Sequence, residues 1–206
     1  MMDIAIFTKA PRPGAVKTRL IPALGAVGAA RLQRRLTLNA VRLAKRFAPA
    51  TMTLWCAPDT RHRFFRSLHA LCGIEVRAQA GVDLGARMAH AFDVQDGPLL
   101  LIGTDCPALR IEHLAGAANA LHDGHDAVFI PAEDGGYVLV GLRRPQPRLF
   151  ENIAWGSEWV MAQTRERLLE MRLRWAEPFT LWDVDQAADL ERLALLDGFS
   201  ATLRRK

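Results

Sequence analysis

Pro98-Leu99-Leu100-Leu101-Ile102-Gly103-Thr104-Asp105-Cys106-Pro107 is the stretch that decides the fold. Its opening residues, Pro98 to Ile102, run apolar without alternation, the pattern of a central strand covered on both faces. Such strands belong to α/β sheets, with helices packed above and below. Polar and Gly/Pro-punctuated chain follows from Gly103, so the strand ends at Ile102 and a carboxylate, Asp105, stands just beyond its carboxyl end. In open sheets of this kind, ligands bind outside the carboxyl ends of the strands. One short stretch therefore suggests both a fold class and a first site residue.

Toward the N-terminus, Ile4 to Phe7 reads as another buried strand, and a Pro/Gly-rich loop follows. From Gly25 to Phe47 apolar residues recur at helical spacing (Leu32, Leu36, Ala40, Leu43, Phe47), opposite a basic face carrying Arg31, Arg34, Arg35, Arg42, Lys45 and Arg46. Thr51–Cys56 and Ile74–Ala78 read as strands, and Thr60–Leu71 and Leu84–Phe92 as helices. Toward the C-terminus, Ile111–Leu121 is expected to be helical. Ala127–Pro131 and Tyr137–Leu142 are strands split by the turn Glu133-Asp134-Gly135-Gly136. Glu158–Met171 is a helix, Leu173–Trp175 a short strand, and a last helix is expected from Asp185, as its N-cap, to Leu196. Alternating strands and helices of this kind predict a doubly wound, mostly parallel sheet with at least one antiparallel strand. The 206 residues suffice for one well-packed core, and no repeat or linker divides them, so residues 1–206 are expected to form a single domain.

Composition narrows the function. Half of the residues are apolar and 24% are charged, which excludes a disordered or fibrous chain. The net charge of +5 suits an anionic partner. The basic helix face has no interleaved aromatic residues, so it reads as solvated and no nucleic acid is expected. Three scattered cysteines without a CxxC pair point to a reducing compartment, and the N-terminal apolar run meets Lys9 too soon for a signal peptide; a cytoplasmic location is the expectation. No stretch is long and apolar enough to span a bilayer. The six histidines show no metal-ligand spacing, and Cys106, with no histidine motif, reads as a small packed residue.

Chemistry is concentrated in four segments. The loop Lys9-Ala10-Pro11-Arg12-Pro13-Gly14-Ala15-Val16-Lys17-Thr18-Arg19 holds four cations, with two prolines restricting the backbone and Gly14 letting it turn closely. Lys17 and Arg19 are suited to phosphate oxygens, although the spacing is not that of a P-loop. Asp105 suits Mg²⁺, which takes carboxylate, water and phosphate oxygens. In Trp182-Asp183-Val184-Asp185, alternation puts Asp183 and Asp185 on one side, where one of them completes a metal site with Asp105. Glu133-Asp134-Gly135-Gly136 is a tight turn with two carboxylates, read equally as a plain hairpin or a substrate contact.

Together these segments resemble the GT-A-like nucleotide-diphospho-sugar transferase superfamily, in particular its radical-SAM/selenodomain-associated transferase branch. The resemblance runs in order through KAPRPGAVKTRL (9–20), QAGVDLGARM (79–88), GTDCP (103–107), EDGGYVLVGL (133–142), WGS (155–157) and DVDQAADL (183–190). It implies a three-layer α/β/α, Rossmann-like GT-A fold with a mixed, mostly parallel sheet. It also implies that Lys9, Arg12, Gly14, Lys17 and Arg19 wrap phosphates. Gln79, Gly81, Asp83, Gly85 and Arg87 line the nucleotide pocket, and Glu133, Asp134, Gly135 and Gly136 face the acceptor. Asp105 and Asp185 bind Mg²⁺ or Mn²⁺. Here Gln186-Ala187 replace the Thr-Pro that follows the second metal aspartate in related nucleotidyltransferases. A lone aspartate in Thr104-Asp105-Cys106, where many GT-A glycosyltransferases have D-x-D, also resembles the nucleotidyltransferases.

Three readings follow. The first is a metal-dependent glycosyltransferase with an NDP-sugar donor, Asp134 as base and Lys17 neutralising the leaving diphosphate. The second is a nucleotidyltransferase joining an NTP to a small phosphorylated acceptor. The third is a non-catalytic nucleotide- or nucleic-acid-binding protein. Base, sugar, acceptor and oligomeric state are not read from the sequence.

Overall fold

The computed structural model describes residues 2–196 and 199. Its strands are β1 (Asp3–Lys9), β2 (Met52–Ala57), β3 (Glu75–Ala78), β4 (Leu99–Gly103), β5 (Ala127–Pro131), β6 (Tyr137–Leu142) and β7 (Trp175–Ala176). Its helices are α1 (Ile21–Phe47), α2 (Arg63–Cys72), α3 (Leu84–Asp93), α4 (Ile111–His122), α5 (Val160–Glu170) and α6 (Asp189–Ala194). The strands form one sheet in the order β3-β2-β1-β4-β6-β5-β7, in which only β6 runs against the others.

Side-chain alternation along the strands explains the layers. Ile4, Ile6, Leu54, Leu100 and Ile102 point to one face and pack against α1, α2 and α4 through Val41, Phe65 and Leu114. Ala5, Phe7, Leu99, Leu101 and Phe129 point to the other and meet α3 and α5 through Met88, Phe92 and Met161. The three-layer α/β/α arrangement expected from the sequence is therefore present, with the run at 98–102 at its centre. A third cluster joins Leu20, Leu32 and Leu36 to Val184 and Leu193, tying the start of α1 to the C-terminal segment.

The sheet order fixes where a ligand can sit. After β1 the chain builds outward through β2 and β3, then returns to place β4 on β1's other side. The connections leave β1 and β4 in opposite directions, which opens a crevice at the carboxyl ends of these two strands. The loops at 9–19 and 103–107 flank it.

Helix α5 begins at Val160 rather than Glu158 and β7 is Trp175–Ala176 rather than 173–175, while three further boundaries differ from expectation for local reasons. Helix α1 begins at Ile21 rather than Gly25, which sits inside it as a break with φ 69°. Helix α2 starts at Arg63, because the His62 ring caps it by accepting from the Phe64 amide at 3.3 Å. Asp185 does not cap the last helix. Buried Val184 donates its amide to the Asp105 carbonyl at 2.9 Å and keeps 182–185 out of helix. Helix α6 begins only at Asp189, whose carboxylate accepts from the amides of Asp185 and Gln186. No helix among the described residues is long and apolar enough to cross a membrane.

Candidate active site

The loop after β1 is pinned by buried Val16 and Leu20, while Arg12 to Ala15 and Arg19 stay exposed. Gly14 has φ 81° with open space around it, so it is there for backbone conformation and not for room. Lys17 adopts the left-handed conformation, φ 48°, which costs a non-glycine residue about 1 kcal/mol. That turn sends its side chain inward. The side chain is only 4% exposed, and its ammonium donates to Asp105 Oδ2 at 2.8 Å and to the Val184 carbonyl at 2.5 Å. Two residues on, Arg19 makes an ion pair with Asp185. The loop after β1 is thereby fastened to both aspartate segments that the sequence singles out.

Asp105 is held from behind. Its Oδ1 accepts from the Thr104 hydroxyl at 3.2 Å, which accepts in turn from Gln33 Nε2 at 3.1 Å. Gln33 and Thr37 lie one turn apart on the buried side of α1 and join Thr8 at the end of β1, with 2.9 Å between the two threonine hydroxyls. These polar groups are buried beneath the cleft and satisfy one another, as a closed interior requires.

Lys9, Lys17, Arg19, Gln79, Arg87, Asp105 and Asp185 line one cleft of about 470 Å³, together with Asp183, Gln33 and Tyr137. An adjoining cavity of about 340 Å³ shares Arg19, Asp183 and Asp185 and adds Glu133, Asp134 and Glu158. Arg12 lines a third, of about 330 Å³, on the opposite side. Other predicted positions serve the frame. Asp83 caps α3 by accepting from the Ala86 amide at 2.7 Å. Gly81 lies so close to the main chain of 86 and 87 that no Cβ fits, and Gly85 packs likewise against Phe150 and Trp155. Asp83 and Gly85 border a separate cavity beside Phe150. Gly136 donates its amide to Asp134 at 2.9 Å, and Gly135, with φ 91°, lies against the Glu158 main chain. Glu133 forms a two-point ion pair with Arg192, at 2.6 and 3.1 Å, which holds its carboxyl below the usual range.

Asp183 is more central than its sequence suggested. Burial first, and then the neighbouring carboxylates Asp134 and Asp105, push its carboxyl up to about 6, against the pull of Lys17. A native pKa above the unfolded value means that folding favours the protonated form. Stability from this source is full below about pH 4 and is lost as pH rises toward 6. Asp183→Asn is accordingly expected to raise Tm at pH 7 in metal-free buffer and to flatten the decline between those limits. A melting profile identical to that of the unsubstituted protein at every pH would contradict it. Cys106 is buried and its thiol is pushed up to about 12, chiefly by desolvation, so it is no nucleophile at neutral pH.

Among the described residues, no three His, Cys, Asp or Glu side chains converge as a ready-made metal cage. The carboxylates present fit a cation that needs less. Mg²⁺ keeps its waters and takes one or two carboxylates plus phosphate oxygens. Asp105 is 47% exposed and Asp185 is 37% exposed at the side chain, so both keep oxygen lone pairs open to the cleft.

Residues 40–157 match the family model described as "uncharacterized protein conserved in bacteria (DUF2064)". No curated protein is a significant sequence match. Among solved structures, a candidate nucleotide-diphospho-sugar transferase from Desulfovibrio desulfuricans G20 shares 32% identity. The alignment covers 98% of this chain and 94% of that one, with a TM-score of 0.86. The 4-diphosphocytidyl-2C-methyl-D-erythritol synthase of Anaerococcus prevotii DSM 20548 shares 11% identity over 100% and 96% of the two chains, at a TM-score of 0.63. The molybdopterin-guanine dinucleotide biosynthesis protein A of Archaeoglobus fulgidus shares 14% over 93% and 96%, at 0.53. These last two show a common fold alone. With a family model matched over more than half its length and a relative of that identity along nearly all of both chains, the chain belongs to the DUF2064 family, within the nucleotide-diphospho-sugar transferase superfamily.

Proposed function

We propose that the protein is a metal-dependent transferase using a nucleotide-activated donor, specifically a cytoplasmic glycosyltransferase that takes an NDP-sugar, of the radical-SAM/selenodomain-associated branch. The observation that carries this reading is the meeting of Lys17 and Arg19 with Asp105, Asp183 and Asp185 in a single cleft at the sheet's switch point. Cations alone would suit any anion. Cations beside partly exposed carboxylates suit a diphosphate that arrives with a divalent metal.

In this reading Lys17 and Arg19 orient the diphosphate and neutralise the charge that grows on it as the sugar departs. Asp105 and Asp185 hold Mg²⁺ or Mn²⁺, which when bound acts as a Lewis acid on the phosphate oxygens. Asp134 takes the proton from the acceptor hydroxyl. The cavity beside Asp134 also carries Glu158 and Asp183. Those carboxylates repel a phosphorylated acceptor and tolerate a hydroxyl, and this favours sugar transfer over nucleotide transfer.

Nucleotide transfer from an NTP is the second reading. The lone Asp105 favours it, because no second aspartate follows in Thr104-Asp105-Cys106. A thermal-shift screen of NTPs against UDP-, GDP- and dTDP-sugars, with Mg²⁺ or Mn²⁺, separates the two. We expect an NDP-sugar to raise Tm by several degrees, since a ligand at a hundred times its Kd adds about 2.7 kcal/mol. Stabilisation by NTPs with none by any NDP-sugar would move the assignment to nucleotide transfer. Nucleic-acid binding with steep salt dependence would replace both with a binding protein.

A further inference from the structure

We propose that Gln33 Oε1 is a further part of the metal site, accepting a hydrogen bond from a water molecule that the divalent cation keeps when it binds Asp105. The proposal rests on the metal-dependent reading above and adds to it a residue of α1.

One acceptor of the polar group beneath the cleft is left over. The Thr104 hydroxyl spends its proton on Asp105 Oδ1 at 3.2 Å, and the Thr37 hydroxyl spends its own on the Gln33 main-chain carbonyl at 2.9 Å. Thr8 is then the donor in its 2.9 Å contact with Thr37. With their protons committed, the three hydroxyls can only accept from Gln33, so the amide faces them with its NH₂ group. Nε2 lies 3.1 Å from the Thr104 oxygen and 3.5 Å from those of Thr8 and Thr37. Oε1 is turned away from them and has no partner among the described residues. Gln33 is only 4% exposed, yet Oε1 is not sealed in. The one sealed side-chain nitrogen or oxygen without a partner among those residues is Arg167 Nε. Gln33 lines the 470 Å³ cleft, so Oε1 opens onto it.

An acceptor fixed in this way needs a donor. Diphosphate oxygens accept hydrogen bonds and do not supply one. Water on a divalent cation does, and more strongly than free water, because the ion polarises it. No three ligating side chains converge among the described residues, so an ion on Asp105 keeps much of its hydration. Its waters lie about 2 Å from the ion and reach an acceptor about 3 Å beyond. Gln33 is joined to Asp105 through the single hydroxyl of Thr104, which keeps its amide beside the carboxylate. Its neutrality also matters. A glutamine orients a water without adding negative charge to a cleft that already holds Asp105, Asp183 and Asp185.

The test is titration of Mn²⁺ into the protein with UDP, GDP, CDP, ADP or dTDP, the free ion being counted by electron paramagnetic resonance. The unsubstituted protein is compared with Gln33→Met and Gln33→Glu. Both variants lose the NH₂ donor to the threonines, and only the glutamate keeps an oxygen for the cleft. We expect Gln33→Met to bind Mn²⁺ about tenfold more weakly, the scale of losing an outer partner of a bound metal. Gln33→Glu is expected to bind it at least as tightly as the unsubstituted protein. Diphosphate binding in EDTA is expected to be unchanged by Gln33→Met. Equal weakening of Mn²⁺ binding in both variants reduces Gln33 to a support for Thr104 and overturns the inference. Unchanged Mn²⁺ affinity in Gln33→Met overturns it as well. A loss of diphosphate binding in EDTA as large as the loss of Mn²⁺ gives Oε1 to the nucleotide, with the same consequence. Each of these results leaves the metal-dependent reading standing. Absence of Mn²⁺ binding to the unsubstituted protein with every diphosphate removes that reading itself, and the inference with it. If either variant fails to fold, a crystal structure of the unsubstituted protein with Mn²⁺ and a diphosphate decides. A manganese-bound water within about 3.2 Å of Oε1 upholds the contact, and any other neighbour there overturns it.

Discussion

Asp105→Asn is expected to weaken metal-dependent nucleotide binding on the order of a hundredfold or more, the scale of losing a charged ligand to a catalytic divalent cation. The substitution keeps the shape of the side chain and its bond from Thr104, but it removes a formal charge in two relationships at once. One is to the metal. The other is to Lys17, whose ammonium is nearly sealed from solvent and has Asp105 as its only ion-pair partner among the described residues. The main-chain carbonyl of Val184 remains to Lys17, so the loop is loosened and not lost. Titration of a nucleoside diphosphate with and without Mg²⁺ checks this directly. If Asp105→Asn keeps full metal-dependent affinity, both transferase readings lose their centre. Lys17→Met, its mirror, is expected to lower affinity with and without metal alike, because the lost charge belongs to the protein.

The second large effect is on stability. Gly135→Ala is expected to cost about 3 kcal/mol or more, lowering Tm by roughly 6–12 °C in a chain of this size. A Cβ at Gly135 would lie 2.1 Å from the Glu158 carbonyl oxygen, and φ is 91°. Neither obstacle is a flexible side chain. The Gly135 carbonyl also accepts from the Met161 amide at 2.8 Å, in the first turn of α5. Turn and helix must part for the methyl to fit, and Asp134 moves with the turn. Gly14→Ala is the instructive comparison. Its φ is 81°, but nothing lies within 4 Å of the added carbon, so only the conformational cost of about 1 kcal/mol applies. Thermal melts of the two variants check the difference. Similar Tm values would show that the turn at 135 yields more easily than its packing implies.

The sequence carried the sheet well because burial is written into strands directly. The unbroken run at 98–102 became the strand between β1 and β6, and the alternating residues of β1 divide between the two faces as their spacing requires. Helix ends were less legible. The cap of α2 is a histidine, and the cap expected at Asp185 was overridden by the burial of Val184, a tertiary contact that no local rule contains. In the site, cations and aspartates at strand ends could be read from position alone. Gln33 was overlooked although its signal was there. Gln33 and Thr37 are polar residues one turn apart on an otherwise apolar stripe with Leu32 and Leu36, a pairing that a solvated face does not explain. Gly81 and Gly85 were expected to line a nucleotide pocket, and Gly135 to sit in a tight turn facing the acceptor. What lies against them is the protein itself: main chain at Gly81 and Gly135, and the Phe150 carbonyl and Trp155 ring at Gly85.

The segment 181–185 reaches the cleft by bonds to distant strands. Leu181 donates to Pro131 and accepts from Glu133, Val184 donates to Asp105 and accepts from Lys17. During synthesis, therefore, the central strands can pair long before the cleft has its far wall. A nascent chain stalled just after residue 176 would carry every described strand of the sheet but lack Asp183 and Asp185. The frame of the sheet and these two carboxylates that line its cleft are thus laid down in order, the frame first.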